Sequence, residues 1–142
     1  MAKLSQFEDM DIWQDARKMA KNCYAYALIA KEFNDYELMN MLPKTSGSVM
    51  DNIAEGFGRG GNKEFIQFLT VAYASCTELK SQLYRFSDRP YFSENIENDI
   101  ESLESLKNRI NGFIMYLKKS ETKGYKFKEE DLNYYQSSSK ES

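Results

Sequence analysis

Apolar residues recur along this chain at alternating steps of three and four, the spacing that gathers them on one face of an α-helix. In the first such stretch, Ile12, Ala16, Met19, Cys23, Tyr26 and Ala30 form one stripe. Trp13, Ala20, Tyr24 and Ala27 form a second stripe beside it. Two stripes exceed what one core seam needs, so the extra face either lines a broad interior or meets another subunit. The second stretch runs from Tyr36 to Phe57 on Leu38, Leu42, Val49, Ile53 and Phe57. Pro43 lies inside it. Proline lacks an N–H and crowds the preceding turn, so the helix is expected to start or kink there. The third stretch carries Phe65, Leu69, Ala72, Cys76, Leu79, Leu83 and Phe86, with Asn62 placed to cap its start. The fourth begins after Ser93 and holds the cleanest stripe, from Ile96 and Ile100 through Leu117.

No stretch alternates with the two-residue period of a strand. The expected fold class is all-α: an up-down-up-down four-helix bundle over residues 1–119, with helices near 8–33, 36–57, 62–86 and 94–119. Gly124 breaks the pattern, and 120–142 reads as a polar, mobile C-terminal tail.

Composition narrows the chemistry. The 142 residues suffice for one domain with a real core. No apolar run approaches the ~20 residues that span a bilayer, and the first residues have no signal-peptide core, so a cytoplasmic protein without a membrane partner is expected. Cys23 and Cys76 sit in apolar patterns and read as reduced core thiols. Histidine is absent. That removes Ser-His-Asp and Cys-His nucleophiles, histidine bases and the Glu-x-x-His sites common in metal-binding bundles. The chain is expected to be no enzyme and to carry no cofactor or metal.

The net charge is -3, unevenly spread. Residues 103–128 hold seven cations against Glu104 and Glu121, or +5, which leaves -8 for the rest. The lysines of that stretch either complement a helix end or form an anion-facing patch.

Four of the seven glycines fall between Gly56 and Gly61, in "EGFGRGGNKEF". Gly56-x-Gly58-x-x-Gly61 spells a dinucleotide-binding fingerprint, but that motif needs a strand before it, and here the preceding element is helical. The stretch reads instead as a helix-to-helix reversal. Gly56 or Gly58 supplies a left-handed C-cap, Gly60-Gly61 turns the chain, and Asn62 caps the next helix. The free N–H groups there, with Arg59 and Lys63 beside them, could hold a phosphate of RNA or DNA.

Asn52 and Glu55 share a face of the second helix, and Ser75 and Glu78 share a face of the third, each pair close to core positions. Antiparallel neighbours would bring the two pairs together. Polar groups beside a core need partners, so the four are expected to form a structural network that fixes register or subunit arrangement, with Asn52 donating to Glu55. An acid/base pair of carboxylates is the other reading.

These residues carry a resemblance. "DIWQDA" (11–16), "NIAEGFGR" (52–59) and "EFIQFLTVAYASCTEL" (64–79), followed by a long periodic helix, resemble the four-helix-bundle family of 23S ribosomal RNA intervening-sequence proteins over roughly residues 7–118. The resemblance implies a ring-like homopentamer with no attached reaction. A similar accessory protein of diversity-generating retroelements binds nucleic acid and a reverse transcriptase through a basic surface. For a role of that kind the candidate phosphate contacts, read from the local chemistry and charge of this chain, are Lys44, Arg59, Lys63, Lys118, Lys119 and Lys123. The sequence departs from the family pattern at Pro43, where an arginine is usual, at Met50, where a proline is usual, and at Ala74-Ser75, where Gly-Ser is usual. The expected function is thus a helical scaffold or binding module whose partner is itself. The alternative is a nucleic-acid-binding accessory factor.

Overall fold

In the computed structural model, which describes residues 6–122, the chain forms four α-helices and, among those residues, no strand. They are α1 (Asp11–Glu32), α2 (Tyr36–Gly58), α3 (Asn62–Ser87) and α4 (Glu97–Thr122), preceded by a 3-10 turn at Phe7–Asp9. Consecutive helices pack side by side and α4 returns to α1, which sets α1 and α3 on one diagonal of a four-helix bundle. The 3/4 stripes become its interior: Ala16, Cys23, Leu42, Ile53, Leu69, Leu79, Leu83 and Ile110 are all fully buried. Burial of apolar side chains at ~25 cal/mol per Å² is the main force holding the helices together. Cys23 and Cys76 are free thiols in this core, and burial pushes the pKa of each up to about 12.

Several boundaries differ from the sequence expectation for identifiable reasons. The first helix starts at Asp11 rather than near residue 8, because Phe7–Asp9 takes a tighter turn that lays Phe7 edge-on against Trp13 at 5.0 Å. The second helix does not start at Pro43, which lies inside it. Its start is fixed upstream by Asp35, whose carboxylate accepts the Leu38 N–H at 3.3 Å, and by the burial of Leu38 and Leu42. One turn beyond Leu42, the Ser46 hydroxyl donates to the Leu42 carbonyl at 2.7 Å. The fourth helix begins at Glu97, where Asn95, not Ser93, accepts the first N–H at 2.7 Å.

The glycine turn is also corrected. Neither Gly56 nor Gly58 is left-handed; both are helical, and the positive φ of 80° belongs to Gly60. Gly56 is there for space. A Cβ on it would lie 2.7 Å from the Phe68 Cβ and 3.0 Å from Phe65 Cδ1, so its absence lets α2 and α3 close together. Gly61, not Asn62, holds the N-cap position of α3, and Asn62 is the first helical residue. Of the expected tail, residues 120–122 belong to the end of α4; residues 123–142, with Lys123, lie outside the described residues.

Candidate functional site

Three of the four expected network residues meet across the α2–α3 seam, through partners the sequence reading missed. Ser48 and Ser75 share a hydrogen bond at 2.8 Å between their hydroxyls. The Asn52 amide donates to the Ser48 carbonyl at 2.8 Å and to its hydroxyl at 3.1 Å. One turn away, the Thr45 hydroxyl donates to Glu78 at 3.3 Å. Thr45, Ser48 and Asn52 are spaced three and four apart, so they stand in a row on α2. The matched pairs 48–75 and 45–78 run in opposite directions along the two helices, as antiparallel neighbours must. The signal that could have found Thr45 and Ser48 was this same spacing, extended back from Asn52.

Glu55 is not part of this ladder. It is half-exposed and paired with Arg59 at 2.7 Å, one turn along its own helix, so Asn52 does not donate to it. The ladder is also nearer the surface than expected: Glu78 is exposed, while Asn52 and Ser75 are half-buried. Asn52 turns back toward Ser48 because a short amide reaches the carbonyl one turn below more readily than a solvated carboxylate one turn above.

The basic candidates divide. Arg59 and Lys63 flank the α2–α3 turn. Phe65 and Phe113 lie 5.9 Å apart, which brings the last turns of α4, with Lys118 and Lys119, to the same end of the bundle. Lys44 stands fifteen residues before Arg59, about 22 Å down α2 at 1.5 Å per residue, and does not join them. Arg59 is further held over the Phe68 ring at 5.2 Å. Two other cations of the basic stretch are engaged inside the bundle. Lys107 bonds Glu104 at 3.1 Å beside Lys80, which bonds it at 2.6 Å, and Arg109 pairs with Asp15 of α1.

At the opposite end, Asp35 ties three elements together. Its carboxylate accepts from Arg89 Nε at 2.8 Å and the Tyr91 hydroxyl at 2.6 Å, besides capping α2. Burial raises its pKa, but the hydrogen bonds from Tyr91, Arg89 and Leu38 outweigh that and leave it lowered. Tyr91 in turn stacks on Phe33 at 4.7 Å.

The remaining seam, α1–α4, is the loosest of the four. A groove of about 500 Å³ runs along it, lined by Asp15, Lys18 and Asn22 on one side and Glu101, Ser105 and Arg109 on the other. Asp15–Arg109 bridges it, and farther along Asp99 accepts from Asn22 at 2.9 Å and from the Tyr26 hydroxyl. Burial, then the bond to Asp99, pushes the Tyr26 pKa up. Among the described residues no group of three or more His, Cys, Asp or Glu side chains is arranged to hold a metal, and no helix is long and apolar enough to cross a membrane. Large apolar side chains also stand outward. Tyr24 is 58% exposed and Leu28 47% on α1, and Val71 is 48% exposed on α3. Of the second α1 stripe, Trp13 and Ala27 turn inward, while Ala20 and Tyr24 do not.

Fold and site together define a four-helix-bundle protein with side-chain hydrogen bonds and ion pairs across its helix seams. The chain belongs to the 23S rRNA-intervening sequence protein family, whose model matches residues 8–112. No curated protein and no solved structure matches the chain.

Proposed function

We propose that this chain is a non-enzymatic, cytoplasmic helical scaffold that works as a closed ring of identical copies, five being the number the family resemblance implies. The observation that supports it is the pair of outward apolar patches on diagonal helices: Tyr24 and Leu28 on α1, Val71 and Ala74 on α3. A ring joins one face of each copy to a different face of the next, whereas a two-fold dimer needs only one self-complementary patch. The Ser48–Ser75 ladder then acts as a spacer that fixes the angle between α2 and α3, and so the angle between neighbours. Native mass measurement tests this. Tyr24→Glu and Val71→Glu should each break the ring, and mixing the two variants should restore a single junction and give a particle of two copies. A wild-type monomer would overturn the reading.

A second reading, a nucleic-acid-binding accessory factor, draws on Arg59, Lys63, Lys118 and Lys119 sharing one end of the bundle. Binding of this kind is steeply salt-dependent because phosphate contacts release counterions. It predicts that the native mass falls on nuclease treatment, and that Arg59→Glu with Lys63→Glu abolishes the fall. Unchanged mass with and without nuclease would count against it.

A further inference from the structure

The groove along the α1–α4 seam is tied at both ends. At one end Arg109 pairs with Asp15; at the other Asp99 accepts from Asn22 and from the Tyr26 hydroxyl. From Asp99 to Arg109 is about 15 Å of helix at 1.5 Å per residue. The space between the ties, about 500 Å³, is that of a small-molecule site, and the ties bar a long chain from running along it.

Several polar groups between the ties are not used by the fold. Among the described residues, Lys18 and Glu101 enter no ion pair, and the Ser102 and Ser105 hydroxyls make no hydrogen bond. Asp99 already takes two donors, so Glu101 is the open carboxylate at its end. Arg109 gives Asp15 one nitrogen, Nη2, whereas a guanidinium carries five N–H donors. Its other donors, the Lys18 ammonium and the Ser105 hydroxyl make a place for an anion. Glu101 and the Ser102 hydroxyl make a place for an ammonium. Met19, 5% exposed, gives the groove an apolar floor.

Charge decides what fits. Two cations and two carboxylates line the groove, so its wall has no net charge, yet its free charges of opposite sign are set apart. A polyanion would be pressed against Asp15 and Glu101, and a plain cation against Lys18 and Arg109; like charges brought together in a cleft repel more strongly than in open water. A ligand with one charge of each sign is attracted at both ends. In the register set by Asp15–Arg109, Lys18 stands level with Leu106 of α4, so the anion place centres about 10 Å along the helix from Glu101. Charge-assisted contacts of about 2.8 Å at each end leave roughly 4–7 Å between the ligand's own charges. An α-amino acid carries both charges on one carbon and is too short.

We propose that the α1–α4 groove binds a small zwitterion, an ω-amino carboxylate whose charged ends are joined by three or four methylene groups. The carboxylate lies on Lys18, Arg109 and Ser105, the ammonium on Glu101 and Ser102, and the methylenes over Met19. The site goes beyond the scaffold reading and does not depend on it.

Chemical-shift titration of the full, isotopically labelled chain tests it. The probes are glycine, β-alanine, γ-aminobutyrate, δ-aminovalerate and ε-aminocaproate, with butyrate and butylamine as one-charge controls. Saturable shifts are expected at amides around Lys18–Asn22 and Glu101–Arg109. Affinity should peak at γ-aminobutyrate or δ-aminovalerate and be several-fold weaker for glycine and for either control. Lys18→Gln should weaken the zwitterion about ten-fold, the worth of one charge-assisted hydrogen bond, and weaken butyrate too. Glu101→Gln should weaken the zwitterion by a similar factor without weakening butyrate. Both side chains are exposed and unpaired, so neither variant should move the melting temperature, which separates loss of the site from loss of the fold. Equal affinity along the series, shifts that neither variant alters, shifts centred outside the groove, or no saturable shift with any probe would overturn the site.

Discussion

Across the α2–α3 seam the backbones come so close at one end that a Cβ on Gly56 would stand 2.7 Å from that of Phe68; the middle is joined by short hydroxyls, Ser48 to Ser75, with Thr45 reaching Glu78, and only the far end is spanned by a long pair, Arg85 with Glu37. Across α1–α4 a groove of about 500 Å³ remains, and contact is made chiefly by the longer reach of Arg109 to Asp15 and Tyr26 to Asp99, with Asn22 beside them. Where a seam is closed by small residues it has little slack: its geometry is set by van der Waals contact and by hydroxyls too short to follow a shift of the backbone. A seam spanned by long, partly solvated side chains tolerates change, because water replaces a lost ion pair at little cost. The first is suited to fix shape, and the second to absorb change.

That contrast can be broken by substitution. The largest effect is expected at Gly56→Ala, a destabilisation of about 1–3 kcal/mol as the added methyl forces α2 from α3. A melting temperature equal to or above wild type would show that the close approach carries no constraint. Ser75→Ala should cost about 1 kcal/mol by depriving Ser48 of its partner across the seam. Gly47, on the same helix as Gly56, has open space around it, so Gly47→Ala should instead stabilise by roughly 0.5–1 kcal/mol. Opposite signs for two Gly→Ala changes on one helix, read from denaturant midpoints, would separate the packing effect from helix propensity. Smallest should be Arg109→Gln in the α1–α4 seam, below about 1 kcal/mol and shrinking further in salt, since Asp15 is 36% exposed.

Acid should act through the charged ties around the seams. Asp35 is lowered by Tyr91 and Arg89 against its burial, and Glu104 is lowered by hydrogen bonds from Lys80 and Lys107. Both bind their proton less readily in the fold than in the unfolded chain. The stability they contribute is therefore full above the ordinary carboxylate range and is lost as pH falls through about 4 and below. Asp35→Asn should flatten the acid side of a stability–pH curve; an identical slope in the variant would remove Asp35 from the account.

The four helices were legible in the sequence because their apolar stripes repeat over many turns, and each buried position repeats the same message. Helix ends were less so. Asp35 as the cap of α2 and Asn95 before α4 depend on one hydrogen bond apiece, and Pro43 misdirects because its local cost is outweighed by the burial of Leu38 and Leu42. The polar ladder was half legible. Asn52, Ser75 and Glu78 stand out by their place beside core positions, but Thr45 and Ser48 look like ordinary surface residues until α3 is set against them. Glu55 shared the same face on paper and went to Arg59.

The glycine turn shows where the division falls. Its sequence determined that a strand-borne nucleotide fingerprint was absent and that the chain reverses between two helices, since these follow from local backbone propensity. Which glycine turns left-handed and which one makes room was decided by the approach of α3. Only when Phe65 and Phe68 arrive does Gly56 need to lack a Cβ, and Gly60 is then left to take the positive φ. Periodicity fixes what each helix buries; contact distances between helices fix which small residue matters, and those distances exist only in the folded protein.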